Sequence, residues 1–437
     1  MLDTYFIISW NISHCGQILN YKIMNCKISI FSRGITGVCI ALALVLVSIS
    51  TDAQQRLTFT PVVEAQYTLS AGANAFAAKA TTLNVTGSAE AVGTPSSIRD
   101  GSGNIHIVFV DKVAGDQYVL RYVRQKGISW ESAEVDRLGS ASQEDGRFSR
   151  GLEKQIPSLA IDNNGTLHFT YFKVESSSIK LYCGSINLTQ GAVAKTVVET
   201  ITSNTSYQNG LAIDRQNIIH LSYHNEGLKY ANNKSGRFVP TMLKANEDNK
   251  PNFIERGVNS TMLIQPNGDI LIPYQGTHHR NWVVVAEFLD CQAYSGGVWK
   301  NMGIVGSLGT LNTNGFNIFM ENGSPTLYHY AGGTLGYAQY TGRWTKRTFG
   351  LGSETLSSAL SATATSNGKS VVAWYSRNGD LFVSHRNGDS WSSKLVGGIK
   401  QYGDAFPIVV PSTNGKVEVF VRANVQGKGT LVRVVER

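Results

Sequence analysis

One phrase recurs seven times along this chain: a short strand, a Gly/Asn turn, a second strand ending in aromatics, a loop and a further short strand. The clearest copies are residues 157–172 and 209–224, which share Ala-Ile-Asp and then a His four residues before the end of the phrase, Tyr-Phe or Tyr-His. Anchored on the aromatic near the end of the second strand, the copies fall at Phe109, Tyr171, Tyr223, Tyr274, Tyr330, Tyr375 and the degenerate Val421. Their separations are 62, 52, 51, 56, 45 and 46 residues. A repeat of roughly 40–60 residues built only from strands is the signature of a β-propeller, one blade per copy. The turns at 100–103, 162–165, 266–268, 321–323, 366–368 and 413–415 carry Asp-x-x-Gly or Asn-Gly. Those pairs supply the positive-φ positions that tight hairpins require. Flanking runs such as Ile-His-Ile-Val-Phe at 105–109 are β-branched and aromatic, as buried strands are. The expected fold is all-β, a seven-bladed propeller. The last copy ends at its third strand, so an N-terminal strand within about 57–69 is expected to complete the last blade and remove the open edges.

The repeat occupies residues 95–437, read as one domain, with 54–94 holding the closing strand and a lead-in. Ahead of it, an apolar run at 35–48 follows Lys22, Lys27 and Arg33, and small residues stand at Thr51 and Ala53. That layout is a secretory signal peptide, with residues 1–23 an over-extended start and Met24 the initiator. The chain is expected outside the cytoplasm (periplasmic, extracellular or on the cell surface), without membrane insertion after cleavage and as a monomer. Cys183 and Cys291 are the cysteines beyond the leader; they fall in blades that do not touch and are expected as unpaired buried thiols. No Cys/His spacing suggests a metal, and no cofactor is expected. The net charge of +8 favours an anionic partner; the Lys and Arg are scattered, which disfavours nucleic acid.

In a propeller the loops after the second strands and between blades share one face. Two of these segments break the repeat: 223–230 (Tyr-His-Asn-Glu-Gly-Leu-Lys-Tyr) and 274–282 (Tyr-Gln-Gly-Thr-His-His-Arg-Asn-Trp). They bring His224, His278, His279 and Tyr230 forward as candidate catalytic residues. Arg280, Arg256, Tyr207, Arg150 and Trp282 are the candidate substrate-binding residues, and Glu255, Glu226, Asp111 and Asp404 are nearby carboxylates. Removing the C5 proton of a uronate takes a base, an acid for the leaving oxygen and a cation at the carboxylate. His and Tyr suit the first two roles and Arg the third. Against this, His106, His168 and His220 recur at one position and read as scaffold, bonding a neighbouring blade's backbone. Tyr230 aligns with Tyr182 and Tyr122 on third strands, which gives it a packing reading too.

A second mark recurs at the third-to-fourth-strand turn, clearest in 384–391 (Ser-His-Arg-Asn-Gly-Asp-Ser-Trp), where Arg386 stands in the Asp position. With the Ala-Ile-Asp…His-x-x-Tyr phrase, it resembles the Asp-box (BNR) repeats of sialidase-like propellers over residues 95–435. It also resembles, more distantly, the ulvan-lyase-type propellers that cleave uronates with His, Tyr and Arg. The resemblance implies a secreted, carbohydrate-active propeller acting on anionic polysaccharide, with β-elimination as the chemistry. The alternatives are a non-catalytic glycan-binding or cell-surface interaction propeller and, third, a sialidase-type hydrolase, for which the Arg-Ile-Pro motif is absent.

Overall fold

A computed structural model describes residues 55–69, 76–85, 90–91, 93–140, 152–176, 178–202, 208–309, 315–403, 405–412 and 414–437. The leader at 1–53, Tyr207, Arg150 and Asp404 lie outside the described residues. Those residues are all-β; the one helical element among them is a single 3-10 turn, Leu152–Lys154. No helix of the described residues is long and apolar enough to cross a membrane.

Each repeat folds as an antiparallel meander. The first runs Ser96–Arg99, Ile105–Val113, Gln117–Lys126 and Ser129–Ser140; the second Leu159–Ile161, Thr166–Glu175, Ser178–Asn187 and Ala192–Ile201. The third runs Gly210–Ile213, Ile219–His224, Gly227–Asn232 and Val239–Ala245; the fourth is built on Ile270–Arg280, Val283–Ser295 and Val298–Gly309. The fifth and sixth begin at Phe316–Glu321 and Leu356–Ala364. The seventh supplies Ile408–Pro411, Val417–Val425 and Lys428–Glu436. First strands pack on first strands: Ser96–Arg99 on Leu159–Ile161, and that on Gly210–Ile213. Leu356–Ala364 packs on Ile408–Pro411, which packs in turn on Ser96–Arg99.

The strand added to Lys428–Glu436 is Ala78–Asn84, in antiparallel register from Ala78↔Glu436 to Leu83↔Leu431. The expected segment lies one strand further out: Thr60–Tyr67 pairs with Ala78–Asn84 on one side and with Ser129–Ser140 on the other. In the inner place Ala80, Thr82 and Leu83 are nearly inaccessible.

Two of the anchor aromatics tie one sheet to the previous one. Tyr171 donates its hydroxyl to Asp136 (2.7 Å) and Tyr223 to Glu199 (2.9 Å), each carboxylate lying on the preceding repeat's outer strand. Burying such a ring is worth about 1.5–3 kcal/mol, and the hydroxyl keeps a partner. Cys183 and Cys291 are free and buried, as expected.

The recurring histidines correct one expectation. They bond within their own repeat, not to a neighbour's backbone. Asp100, Asp162 and Asp214 open their turns by accepting backbone N–H groups two and four residues on, for example Ser102 (2.9 Å) and Asn104 (2.8 Å). The other carboxylate oxygen accepts from Nε2 of His106 (3.1 Å), His168 (3.1 Å) and His220 (3.3 Å). In the first and third repeats Nδ1 then accepts a tyrosine hydroxyl, Tyr122 (2.7 Å) or Tyr230 (2.6 Å). A carboxylate can only accept, so the proton sits on Nε2 and the brace has one sense. Tyr182 does not belong to this series: it pairs across to Tyr171, and the residue in register with Tyr122 and Tyr230 is Cys183, opposite Thr170.

Candidate functional site

The fourth repeat departs from the others by growing an arm. Ile270–Arg280 and Val283–Ser295 run on past the ordinary length of the second and third strands. Asn252–Ser260 pairs with the first of them, and Glu247–Asn249 pairs with Asn252–Ser260. The trio His278, His279 and Arg280, expected in a loop, is therefore strand. The 270–280 run contains no turn former after Gly276, and His278 and His279 are paired on both sides.

The tip is a two-residue turn. Asn281 and Trp282 both have positive φ, +48° and +66°, the geometry that matches a hairpin's twist. For a bulky residue that conformation costs about 1 kcal/mol. Trp282 is nevertheless 63% exposed, beside Val283 and Val285, which are also exposed. It packs edge-on to Phe253 at 5.7 Å, and Lys250 Nζ stands 6.0 Å over its ring. Asn252 Oδ1 accepts from the Asn281 N–H (3.0 Å), and Pro251 O accepts from the Trp282 N–H (3.1 Å), so the strained turn is held from the neighbouring strand.

Alternation sorts the arm into two faces. On one, His279 stacks on Phe253 with centroids 4.0 Å apart, and its Nε2 donates to Glu255 Oε2 at 3.1 Å. Its Nδ1 is buried and has no hydrogen-bond partner among the described residues. With the proton held on Nε2 by the carboxylate, Nδ1 carries the lone pair. On the other face lie Arg256, Tyr274, His278, Phe288 and Asp290. The Arg256 guanidinium bonds Glu247 and lies 3.9 Å from Asp290; Tyr274 donates to Asp290 at 2.8 Å. The Arg256 hydrogen bond holds the Glu247 carboxyl below the usual carboxylate range, with His278 contributing a smaller attraction. Burial, then the Asp290 charge, pushes the Tyr274 hydroxyl well above its ordinary value. The tip of the Phe288 ring lies against Gly276, where a Cβ would sit 2.2 Å from a ring carbon, so a larger residue there would displace the ring.

The structure thus brings His278, His279, Arg280, Arg256 and Trp282 onto one arm. His224 and Tyr230 belong to the third sheet. His224 ends Ile219–His224, is 3% exposed and pairs across to Leu228. Tyr230 is engaged with His220, and its ring lies edge-on to Trp299 at 4.9 Å. Burial pushes its hydroxyl up to about 12. Sequence reasoning missed Phe253, Glu247, Asp290 and Lys250. The alternation of Phe253 and Glu255 opposite Thr277 and His279 is the signal that could have found the first strand of the arm.

No protein-family model matches the chain, and no curated protein matches it. Solved structures do show a likeness. Among them is AofleA from Arthrobotrys oligospora, at 11% identity over 77% of this chain and 90% of that one, TM-score 0.44. The Hadza microbial sialidase Hz136 is 13% identical over 73% of each chain, TM-score 0.44. The Aleuria aurantia lectin, solved as a point mutant in complex with Fucα1-6GlcNAc, is 13% identical over 70% of this chain and 95% of that one, TM-score 0.40.

Proposed function

We propose that this chain is a secreted, monomeric, seven-bladed propeller, closed by Ala78–Asn84, that acts on an acidic polysaccharide through the arm of its fourth sheet. The observation that carries this reading is the concentration on that arm of groups the repeat does not call for. His279 is held by Glu255, His278 and Arg256 lie on the opposite face, and an exposed Trp282 stands beside the cations Lys250 and Arg280. An indole presents a flat apolar face to a sugar ring, and the cations match a uronate carboxylate.

The chemistry that fits is β-elimination. A base takes the C5 proton, the C4–O bond breaks as the C4–C5 double bond forms, and a proton passes to the leaving oxygen; His278 and His279, on opposite faces of the arm, are alternative candidates for the base. Arg280 is the cation for the uronate carboxylate, because Arg256 is already committed to Glu247 and Asp290. Tyr230 and His224 are assigned to packing in this reading, on their burial. Mixing purified protein with a panel of uronate polysaccharides while following absorbance near 235 nm tests it. A rise that is lost in the H278A/H279A double variant supports the lyase. A flat trace across the panel overturns the elimination. Binding without turnover is the second reading, favoured by the strained, exposed Trp282; it predicts retention on the same polymers with no absorbance change.

A further inference from the structure

The first three repeats carry the same brace, and one copy is incomplete. His106 and His220 each have Asp on Nε2 and Tyr on Nδ1. His168 has Asp162 on Nε2, but its Nδ1 is buried with no hydrogen-bond partner among the described residues. The cause is a substitution within the repeat. The residue opposite the second position after the histidine is Tyr122 in the first repeat and Tyr230 in the third, but Cys183 in the second. The neighbouring sheet is smaller here as well. Where Trp299 of the fourth repeat packs on Tyr230 at 4.9 Å, the matching turn of the third repeat supplies Phe238.

The two smaller residues leave a cavity of about 110 Å³ between the second and third sheets, lined by His168, Cys183, Gly184, Ile219, Asn233 and Phe238 among others. An apolar protein cavity of roughly 150 Å³ takes up a benzene ring. This one has about three quarters of that volume, is lined by polar as well as apolar groups, and adds one buried acceptor. Burial pushes the Cys183 thiol up to about 12, so it lines the space as a small neutral group.

We propose that this cavity is a binding site for a single-ring phenol, whose hydroxyl donates to His168 Nδ1 as Tyr122 and Tyr230 donate to His106 and His220. The ring takes the volume that tyrosine fills in the flanking repeats. A buried acceptor without a donor costs free energy that a phenol recovers and a hydrocarbon of the same shape does not.

The test is thermal unfolding of the full chain titrated with phenol and with toluene, for the wild type and for Cys183→Tyr, which restores the repeat's own residue. The expected result is a saturable rise in Tm of the wild type with phenol, toluene requiring a concentration about tenfold higher for the same rise. Cys183→Tyr should melt higher than the wild type without ligand and gain nothing from phenol. Should that variant fail to fold, the phenol-to-toluene ratio in the wild type decides alone. No phenol response, an equal response to toluene, or a folded Cys183→Tyr that responds like the wild type overturns the proposal.

Discussion

The repeated histidines and His279 both meet a carboxylate through Nε2, and their surroundings make them different objects. His106 and His220 sit at the turn end of the second strands, fully bonded between an Asp and a Tyr hydroxyl and nearly inaccessible. His279 sits at the opposite end, on an arm of the fourth sheet, bonded by Glu255 on Nε2 and by none of the described residues on Nδ1. The residue types are the same, so an Asp/Glu–His pair by itself says little. What separates brace from candidate base is the state of the second nitrogen and whether the repeat predicts the residue. His168 lies between the two cases, a brace that has lost its tyrosine.

The sharpest way to break this contrast is to remove one histidine of each kind. His220→Ala should lower the unfolding free energy by about 3 kcal/mol, because it opens a cavity and strips Asp214 and Tyr230 of their shared partner. Retention on polysaccharide should not change. His279→Ala should cost less in the same denaturant titration, about 1 kcal/mol, because it loses one partly exposed ion pair and the stack on Phe253 and leaves no buried tyrosine hydroxyl without its partner. Equal losses would erase the distinction.

Acid should expose the braces next. Burial lowers the pKa of His106 and His220 in the folded protein below that of the unfolded chain. Protons therefore bind the unfolded state more readily, so stability is full above about pH 6.5 and falls as pH drops below it. Each brace contributes a slope of at most about 1.4 kcal/mol per pH unit. Denaturant midpoints from pH 7.5 to 5 should fall, and His220→Phe should flatten that fall. A pH-independent midpoint would contradict the assignment.

The smallest effect concerns the strained tip. Trp282→Gly removes the positive-φ penalty and should raise stability by up to about 1 kcal/mol, while weakening retention on acidic polysaccharide. Stability gained with retention intact would mean that the exposed indole serves nothing on that surface.

Much of the scaffold is legible in the sequence because its signals are local. The Asp-x-x-Gly and Asn-Gly turns and the anchor aromatics mark each meander, and the bonding of Asp100 and Asp162 shows why those turns recur. What escapes such a reading is non-local. The polar string Thr-His-His-Arg reads as a loop until Asn252–Ser260, well upstream in the chain, is known to pair with it. Sequence spacing alone puts Tyr182 in register with Tyr122. The pairing of Cys183 with Thr170, and so of Tyr182 with Tyr171, puts it on the other face. The place beside Lys428–Glu436 goes to Ala78–Asn84, with Thr60–Tyr67 on its other side, a pairing that strand propensity alone does not decide.

In the proposed function, the arm of the fourth sheet is the surface that meets acidic polysaccharide. Affinity electrophoresis tests it most directly, comparing the wild type with the R280A/W282A double variant in gels cast with a uronate polysaccharide or a neutral one. The uronate gel is expected to retard the wild type and to leave the variant migrating as it does without polymer. A variant retarded as strongly as the wild type, or a wild type retarded only by the neutral polymer, would contradict it.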